Sequence, residues 1–94
     1  MIESILIRDP LEAHTERAIE VHVKLNSGAE RWCYFLSPEG ITNCGDLIDN
    51  TQTRVHYGAN HMFVVSTISE ENIKKALKMV ENNGELERCT LPIE

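Results

Sequence analysis

Alternating hydrophobic and polar positions mark the clearest strands of this chain. In residues 19–25, Ile, Val, Val and Leu alternate with Glu, His and Lys, the pattern of a strand with one buried and one solvated face. Residues 26–29 (Asn-Ser-Gly-Ala) favour a tight turn, so residues 30–36 are predicted to return as the second arm of a hairpin. Residues 1–7 form a shorter β-prone run, and residues 11–17 are predicted to be a loop or a single helical turn.

A helical period follows near the end of the chain and predicts the longest helix. One apolar stripe is formed by Ile73, Ala76, Leu77 and Val80. Ser69 is the predicted N-cap, with Thr67 as the alternative, and residues 82–84 supply a left-handed residue to end the helix. Residues 61–67 are predicted to be a buried strand that leads directly into this helix.

A second, weaker helix is predicted to start at Ser37, Pro38 and Glu39, where a cap is followed by a proline. Its buried stripe would consist of Ile41, Cys44, Leu47 and Ile48. Two glycines, Gly40 and Gly45, lower its helix propensity by about 1 kcal/mol each, so this helix needs tertiary contacts.

Two further strand predictions complete the element order βββαββαβ. Residues 53–57 and the strand from His61 are predicted to form a second hairpin, with Val55 opposite Phe63 and Tyr57 opposite His61. Residues 85–91 alternate weakly and predict a last strand near a sheet edge. The expected fold class is α+β: residues 1–94 form a single domain with a two-layer, mainly antiparallel five- to six-stranded sheet and two helices packed on one face.

Composition narrows the range of functions. Fifteen acidic and nine basic residues give a net charge of −6, which disfavours nucleic acid as a partner. No apolar run reaches the roughly 20 residues that span a bilayer, and the N-terminus lacks the features of a secretory signal. We therefore expect a cytoplasmic protein without a membrane partner.

The cysteines do not predict a metal centre or a disulfide framework. Cys33, Cys44 and Cys89 are odd in number, widely spaced and free of any CxxC motif. We expect buried or half-buried thiols, with no metal and no cofactor.

Histidines are the groups that titrate near neutrality, and they define the candidate chemistry. His14 stands between Glu12 and Glu16, which suggests a metal ligand or a general base, although a solvated surface histidine is the favoured interpretation. His22 is interpreted as a surface residue on the polar side of its strand. None of the common hydrolase, metalloprotease or nucleotide-binding motifs is present, so the sequence gives no support for an enzyme.

The densest polar group surrounds the predicted second turn. It consists of Arg54, His56, Tyr57, Asn60 and His61. An arginine fork with histidine donors can bind an anion or a carboxylate, and the alternative interpretation is a hairpin tip that is merely polar.

Two aromatic residues, Trp32 and Tyr34, are candidate anchors for a protein partner. They alternate with Cys33 and Phe35, and the pattern leaves open which pair faces the helices. The favoured function is a non-catalytic protein-binding module that pairs with a second copy of itself or neutralises a basic protein. The alternative is a small-ligand-binding protein or an enzyme that uses the cluster around His56 and His61.

Overall fold

A computed structural model describes residues 1–44, 46–48, 50–55 and 60–93, and for residues 44, 46, 54 and 55 it describes the backbone alone. The strands are β1 (Ile2–Ile7), β2 (Ile19–Leu25), β3 (Glu30–Leu36), β4 (Asp46–Leu47), β5 (Arg54–Val55), β6 (Met62–Val64) and β7 (Leu91–Pro92). The helices are a 3-10 helix (Leu11–Thr15), α1 (Pro38–Cys44) and α2 (Glu70–Asn82). The predicted α+β class is confirmed, with a five-stranded sheet and two α-helices.

The first three strands form an antiparallel meander at the centre of the fold. β1 pairs with β2, and β2 pairs with β3 through the predicted hairpin, whose turn places Gly28 at φ 93°. A positive φ at this position suits glycine because it has no Cβ. The hairpin register puts His22 opposite Trp32, which fixes the residues that share each face of the sheet.

The hydrophobic core lies between one face of this meander and α2. Its fully buried side chains come from alternate positions of two strands and from one helix: Ile19, Val21, Val23, Cys33, Phe35, Ile73 and Leu77. Phe35 also stacks on Phe63 of β6, with ring centroids 4.7 Å apart. The structure thus settles which side of β3 faces the core: Cys33 and Phe35 are buried there, and Trp32 and Tyr34 lie on the opposite side.

The start and end of α2 are those predicted. Ser69 caps the helix, because its Oγ accepts a hydrogen bond from the Asn72 N–H at 3.0 Å. Past the last turn, Gly84 adopts a φ of 72°, the left-handed conformation expected there. The buried stripe is also confirmed, since Ile73 and Leu77 are fully buried while Ala76 and Val80 are partly buried against the core.

The sheet is mixed, and the predicted second hairpin is wrong. β6 pairs in parallel with β3, placing Phe63 beside Phe35, whereas Val55 pairs with Asp46 of β4 in a separate two-stranded sheet. Parallel strands need a long crossover, which the segment containing α1 provides between β3 and β6. The parallel pairing stacks Phe63 on the buried Phe35, which adds β6 to the hydrophobic core.

Three predicted elements are shorter than expected. The strand predicted over residues 61–67 covers only Met62–Val64 and is only partly buried, with Val64 49% exposed. α1 ends at Cys44, so Leu47 lies in β4 and Ile48 follows it, both exposed rather than part of a buried stripe. The last strand is limited to Leu91–Pro92, because the chain from residue 86 to 89 forms turns. α1 contacts the 3-10 helix and β3, with Gly40 beside Leu36 at the end of that strand.

Candidate functional site

The sheet has a far face, defined here as the side opposite α2, and one row of side chains crosses its middle. This middle row consists of Leu6, His22, Trp32 and Leu91, each the cross-strand partner of the next. Leu6 is 55% exposed and Leu91 is 39% exposed. The two ends of the row therefore present apolar surface to solvent.

Two flanking rows run beside the middle row. One contains Ser4, Lys24 and Glu30, and the other contains Glu20, Tyr34 and Met62. The second row extends toward Arg8, whose N–H donates to the Glu20 carbonyl oxygen at 2.8 Å. Charged groups of both signs thus border an apolar centre.

Three rings form an aromatic cluster on this face: Trp32, Tyr34 and His61. The His61 ring lies edge-on to both neighbours, with centroids 4.6 Å from Trp32 and 5.0 Å from Tyr34. The backbone holds this arrangement, because the Tyr34 N–H donates to the His61 carbonyl oxygen at 3.0 Å. Burial raises the pKa of Tyr34 above its ordinary value of 10.0, so its hydroxyl stays protonated at neutral pH.

A pocket of about 310 Å³ opens beside the cluster, and it is lined by Glu20, His22, Trp32, Pro92 and Ile93. Glu20 and His22 are two residues apart on β2, and their side chains contact each other with 2.5 Å between Oε2 and Nε2. This contact orients the imidazole along one wall of the pocket. Such a pocket can receive a side chain or a small molecule that offers both an apolar body and a polar group.

The second hairpin that was predicted to carry the polar cluster does not form, and part of that cluster lies outside the described residues. Arg54 lies in β5, where its backbone pairs with Leu47, while its side chain and residues 56 and 57, predicted as His56 and Tyr57 of the site, are outside the described residues. Asn60 is exposed and directly precedes His61. Of the predicted site residues, the structure brings together Trp32, Tyr34 and His61.

His14 has contacts within the fold that the sequence did not reveal. Its Nδ1 lies 3.1 Å from the Ser37 Oγ, which also accepts from the Gly40 N–H and donates to the His14 carbonyl oxygen. These bonds join the 3-10 helix to the start of α1. Within the described residues, no three His, Cys, Asp or Glu side chains are grouped so as to hold a metal ion.

The cysteine prediction is confirmed for the two described thiols. Cys33 is buried and Cys89 is half-buried, and neither forms a disulfide. Burial, with a smaller contribution from Cys89, raises the pKa of the Cys33 thiol from 9.0 to about 12. A protonated, inaccessible thiol is a poor nucleophile, so Cys33 belongs to the core.

Several residues of the far face were missed as site residues: Leu6, Glu20, His22, Leu91, Pro92 and Ile93. For Glu20 and His22 a signal was present, because the predicted turn at residues 26–29 fixes the pairing of His22 with Trp32. The β7 residues had no such signal, since their position depends on contacts distant in sequence.

Comparison with known proteins provides no relative from which a function could be transferred. No family model matches the sequence, and no curated protein or solved structure matches it. None of the described helices combines the length and apolar composition required to cross a membrane.

Proposed function

We propose that this protein is a non-catalytic protein-binding module that acts in the cytoplasm and engages a protein partner through its far face. The observation that carries the proposal is the middle row, where exposed Leu6 and Leu91 flank His22 and Trp32. Free thiols such as Cys33 and Cys89 suit a reducing compartment. The proposal includes the predicted placement of both helices, which leaves this row uncovered.

The composition of the face supports a protein as its ligand. Tryptophan and tyrosine are among the residues that most often dominate binding energy at protein interfaces; Trp32 lies in the middle row and Tyr34 in the flanking row beside it. The cluster with His61 fixes the orientation of both rings, so little side-chain entropy is lost on binding. Charged residues at the edge form the polar rim that surrounds such a centre.

Site-specific crosslinking tests this function directly. A photo-reactive amino acid replaces Leu6 on the far face and, in a matched control, replaces Met79, an exposed residue of α2. We expect irradiation in cells to attach an identified protein, another chain or a second copy, at position 6 and not at position 79. Absence of a specific adduct at position 6, or equal adducts at both positions, would overturn the proposal.

A small-ligand site is the second candidate, and the pocket beside Trp32 favours it. Its volume of about 310 Å³ lies at the lower end of the range for ligand pockets, and the Glu20 and His22 side chains supply polar contacts. Native mass spectrometry of the purified protein tests this candidate. A co-purified small molecule that is lost in Trp32→Ala would support it, and a mass equal to that of the chain alone would argue against it.

A further inference from the structure

We propose that the partner of the far face is a second copy of this chain, docked face to face across a two-fold axis that runs along the middle row. This inference rests on the proposed function and names its partner. In such a dimer the same patch serves both subunits, so the face must be complementary to itself. The positions of its charges meet that requirement.

The charges on β2 are complementary under this rotation. Glu20, His22 and Lys24 point to the same face at successive alternate positions of the strand. A half-turn about the row through His22 reverses the strand direction and places Lys24 of each copy over Glu20 of the other. Two equivalent ion pairs of opposite charge would form, one on each side of the axis.

Both members of this pair are available for binding. The Glu20 side chain is 47% exposed, and only its Oε2 contacts His22. The Lys24 side chain is 52% exposed, and its nearest acid, Glu3, is 3.9 Å away and equally exposed. Exposed ion pairs of this length contribute little, so giving up the contact with Glu3 costs little.

Residues on β3 and in the middle row also meet compatible residues of the second copy under this rotation. On β3 the rotation brings Glu30 over Tyr34 of the second copy, and the tyrosine hydroxyl, which is protonated at neutral pH, can donate to the carboxylate. The residues of the middle row meet their own counterparts, so Trp32 packs near Trp32 at the centre. Strands of the two sheets would run antiparallel to each other, the aligned packing that sheets commonly adopt about 10 Å apart.

The far face differs from the chain as a whole in its net charge. The chain carries a net charge of −6, which opposes the association of two copies through an average surface patch. On the far face, Lys24 and Arg8 offset Glu20 and Glu30 in the flanking rows. With Glu3, whose carboxylate lies 3.9 Å from Lys24, the face carries three acidic and two basic groups. This small negative excess and the apolar centre suit a second acidic copy better than a strongly basic protein.

The size of the face sets the expected strength of the dimer. Four strands about 4.8 Å apart, with seven residues at about 3.3 Å each in the central strands, give a face of roughly 20 Å by 23 Å. The contact area on each copy is thus roughly 460 Å², which lies at the low end for specific complexes. We expect a reversible, concentration-dependent dimer.

Charge reversal measured by analytical ultracentrifugation tests the inference. Glu20→Lys and Lys24→Glu each place like charges at both symmetry-related contacts, so each is expected to weaken the dimer by about a hundredfold. Mixing the two variants restores opposite charges at every contact, and we expect a heterodimer close to wild type in affinity. The double variant Glu20→Lys with Lys24→Glu should also dimerise, whereas the control Glu71→Lys on α2, with the same charge change as Glu20→Lys, should leave the dimer intact.

The possible negative results separate the proposed function, the second-copy partner and the two-fold arrangement. A wild-type protein that stays monomeric overturns the second-copy partner, but the proposed function survives if position 6 crosslinks to another protein. A dimer that ignores either charge reversal, or single variants that fail to combine while remaining folded by circular dichroism, overturns the two-fold arrangement. A dimer lost equally in Glu71→Lys would also contradict it.

Discussion

Arg31 is expected to hold the end of the chain onto the sheet, and its replacement by alanine should cause a large loss of stability. It lies on β3 beside the buried Cys33 position and points toward the segment before β7. Its Nε donates to Thr90 Oγ1 at 2.6 Å, and its Nη2 donates to the carbonyl oxygens of Thr90 and Glu87 at 2.8 and 2.9 Å. One guanidinium thus satisfies three acceptors of a turn segment that has little regular structure of its own.

The size of the stability loss in Arg31→Ala depends on which of these three acceptors are buried. Hydrogen bonds to a charged donor contribute about 1.5 to 3 kcal/mol each. Thr90 is 2% exposed, so its two acceptors lose their partner without gaining water, whereas the carbonyl of Glu87 lies near solvent. Allowing for side-chain entropy regained by the loss of the arginine, we expect a decrease in the free energy of unfolding of roughly 3 kcal/mol. For a domain of this size that corresponds to a fall in Tm of roughly 10 to 20 °C.

Urea unfolding followed by circular dichroism measures this loss. The matched control is Arg88→Ala, because Arg88 is exposed and pairs at the surface with Glu85, an interaction worth at most about 0.5 kcal/mol. Arg31→Lys keeps the charge and loses the planar fork, so it should recover less than half of the stability. If Arg31→Ala loses no more stability than Arg88→Ala, or if Arg31→Lys restores it fully, the three contacts do not act as described.

Two further predictions concern the other end of β3 and the core. In an ordinary helix, replacing glycine by alanine is stabilising by about 1 kcal/mol. Gly40→Ala should instead destabilise the protein by about 1 to 2 kcal/mol, because the added Cβ would lie 2.6 Å from the His14 carbonyl oxygen. Thermal melting measures whether the Tm falls, as expected here, or rises. For Cys33, burial raises the thiol pKa in the folded state to about 12, so the thiol ionises first in the unfolded state and the protein loses stability as pH rises above 9.0. Between pH 8 and 11, the free energy of unfolding from urea titrations should fall by about 3 kcal/mol more in the wild type than in Cys33→Ala. An equal dependence on pH in the two proteins would refute the burial of this thiol.

The sequence predicts elements well where local signals agree over several residues. The hairpin of β2 and β3 combines strict alternation with a turn that needs a positive φ at Gly28, so its register follows from short-range chemistry. In α2 the cap at Ser69, the apolar stripe and Gly84 specify the same boundaries independently. Each of these elements could be predicted without knowledge of the rest of the chain.

The partner of β6 could not be predicted in this way. The local pattern of β6 is compatible with either a hairpin to β5 or a parallel pairing with β3, and the choice depends on packing between residues far apart in sequence. The same limit applies to the strand predicted over residues 85–91, where residues 86–89 form turns and Arg31 bonds to Glu87 and Thr90. Long-range contacts override a weak local pattern in both cases.

Local sequence patterns likewise predict one part of the candidate site and miss another. Trp32 and Tyr34 were predicted as anchors from their alternation, and His61 was assigned to a separate polar cluster around the second turn. Parallel pairing places Met62 beside Tyr34 and therefore brings the preceding residue, His61, against both aromatic rings. Residues predicted for two different clusters thus lie in one group of rings, through a long-range contact that sequence periodicity does not show.

Under the proposed function, β3 would link stability to recognition, because its two faces carry different sets of side chains. Arg31, Cys33 and Phe35 hold the C-terminal turns and the core, while Trp32 and Tyr34 face outward between them. Since β7 reaches the far face only because it pairs with β3, loss of the Arg31 contacts should also displace Leu91 and the pocket wall formed by Pro92 and Ile93. Arg31→Ala should therefore weaken binding at the far face even at temperatures where the core remains folded, whereas Arg88→Ala should change neither property.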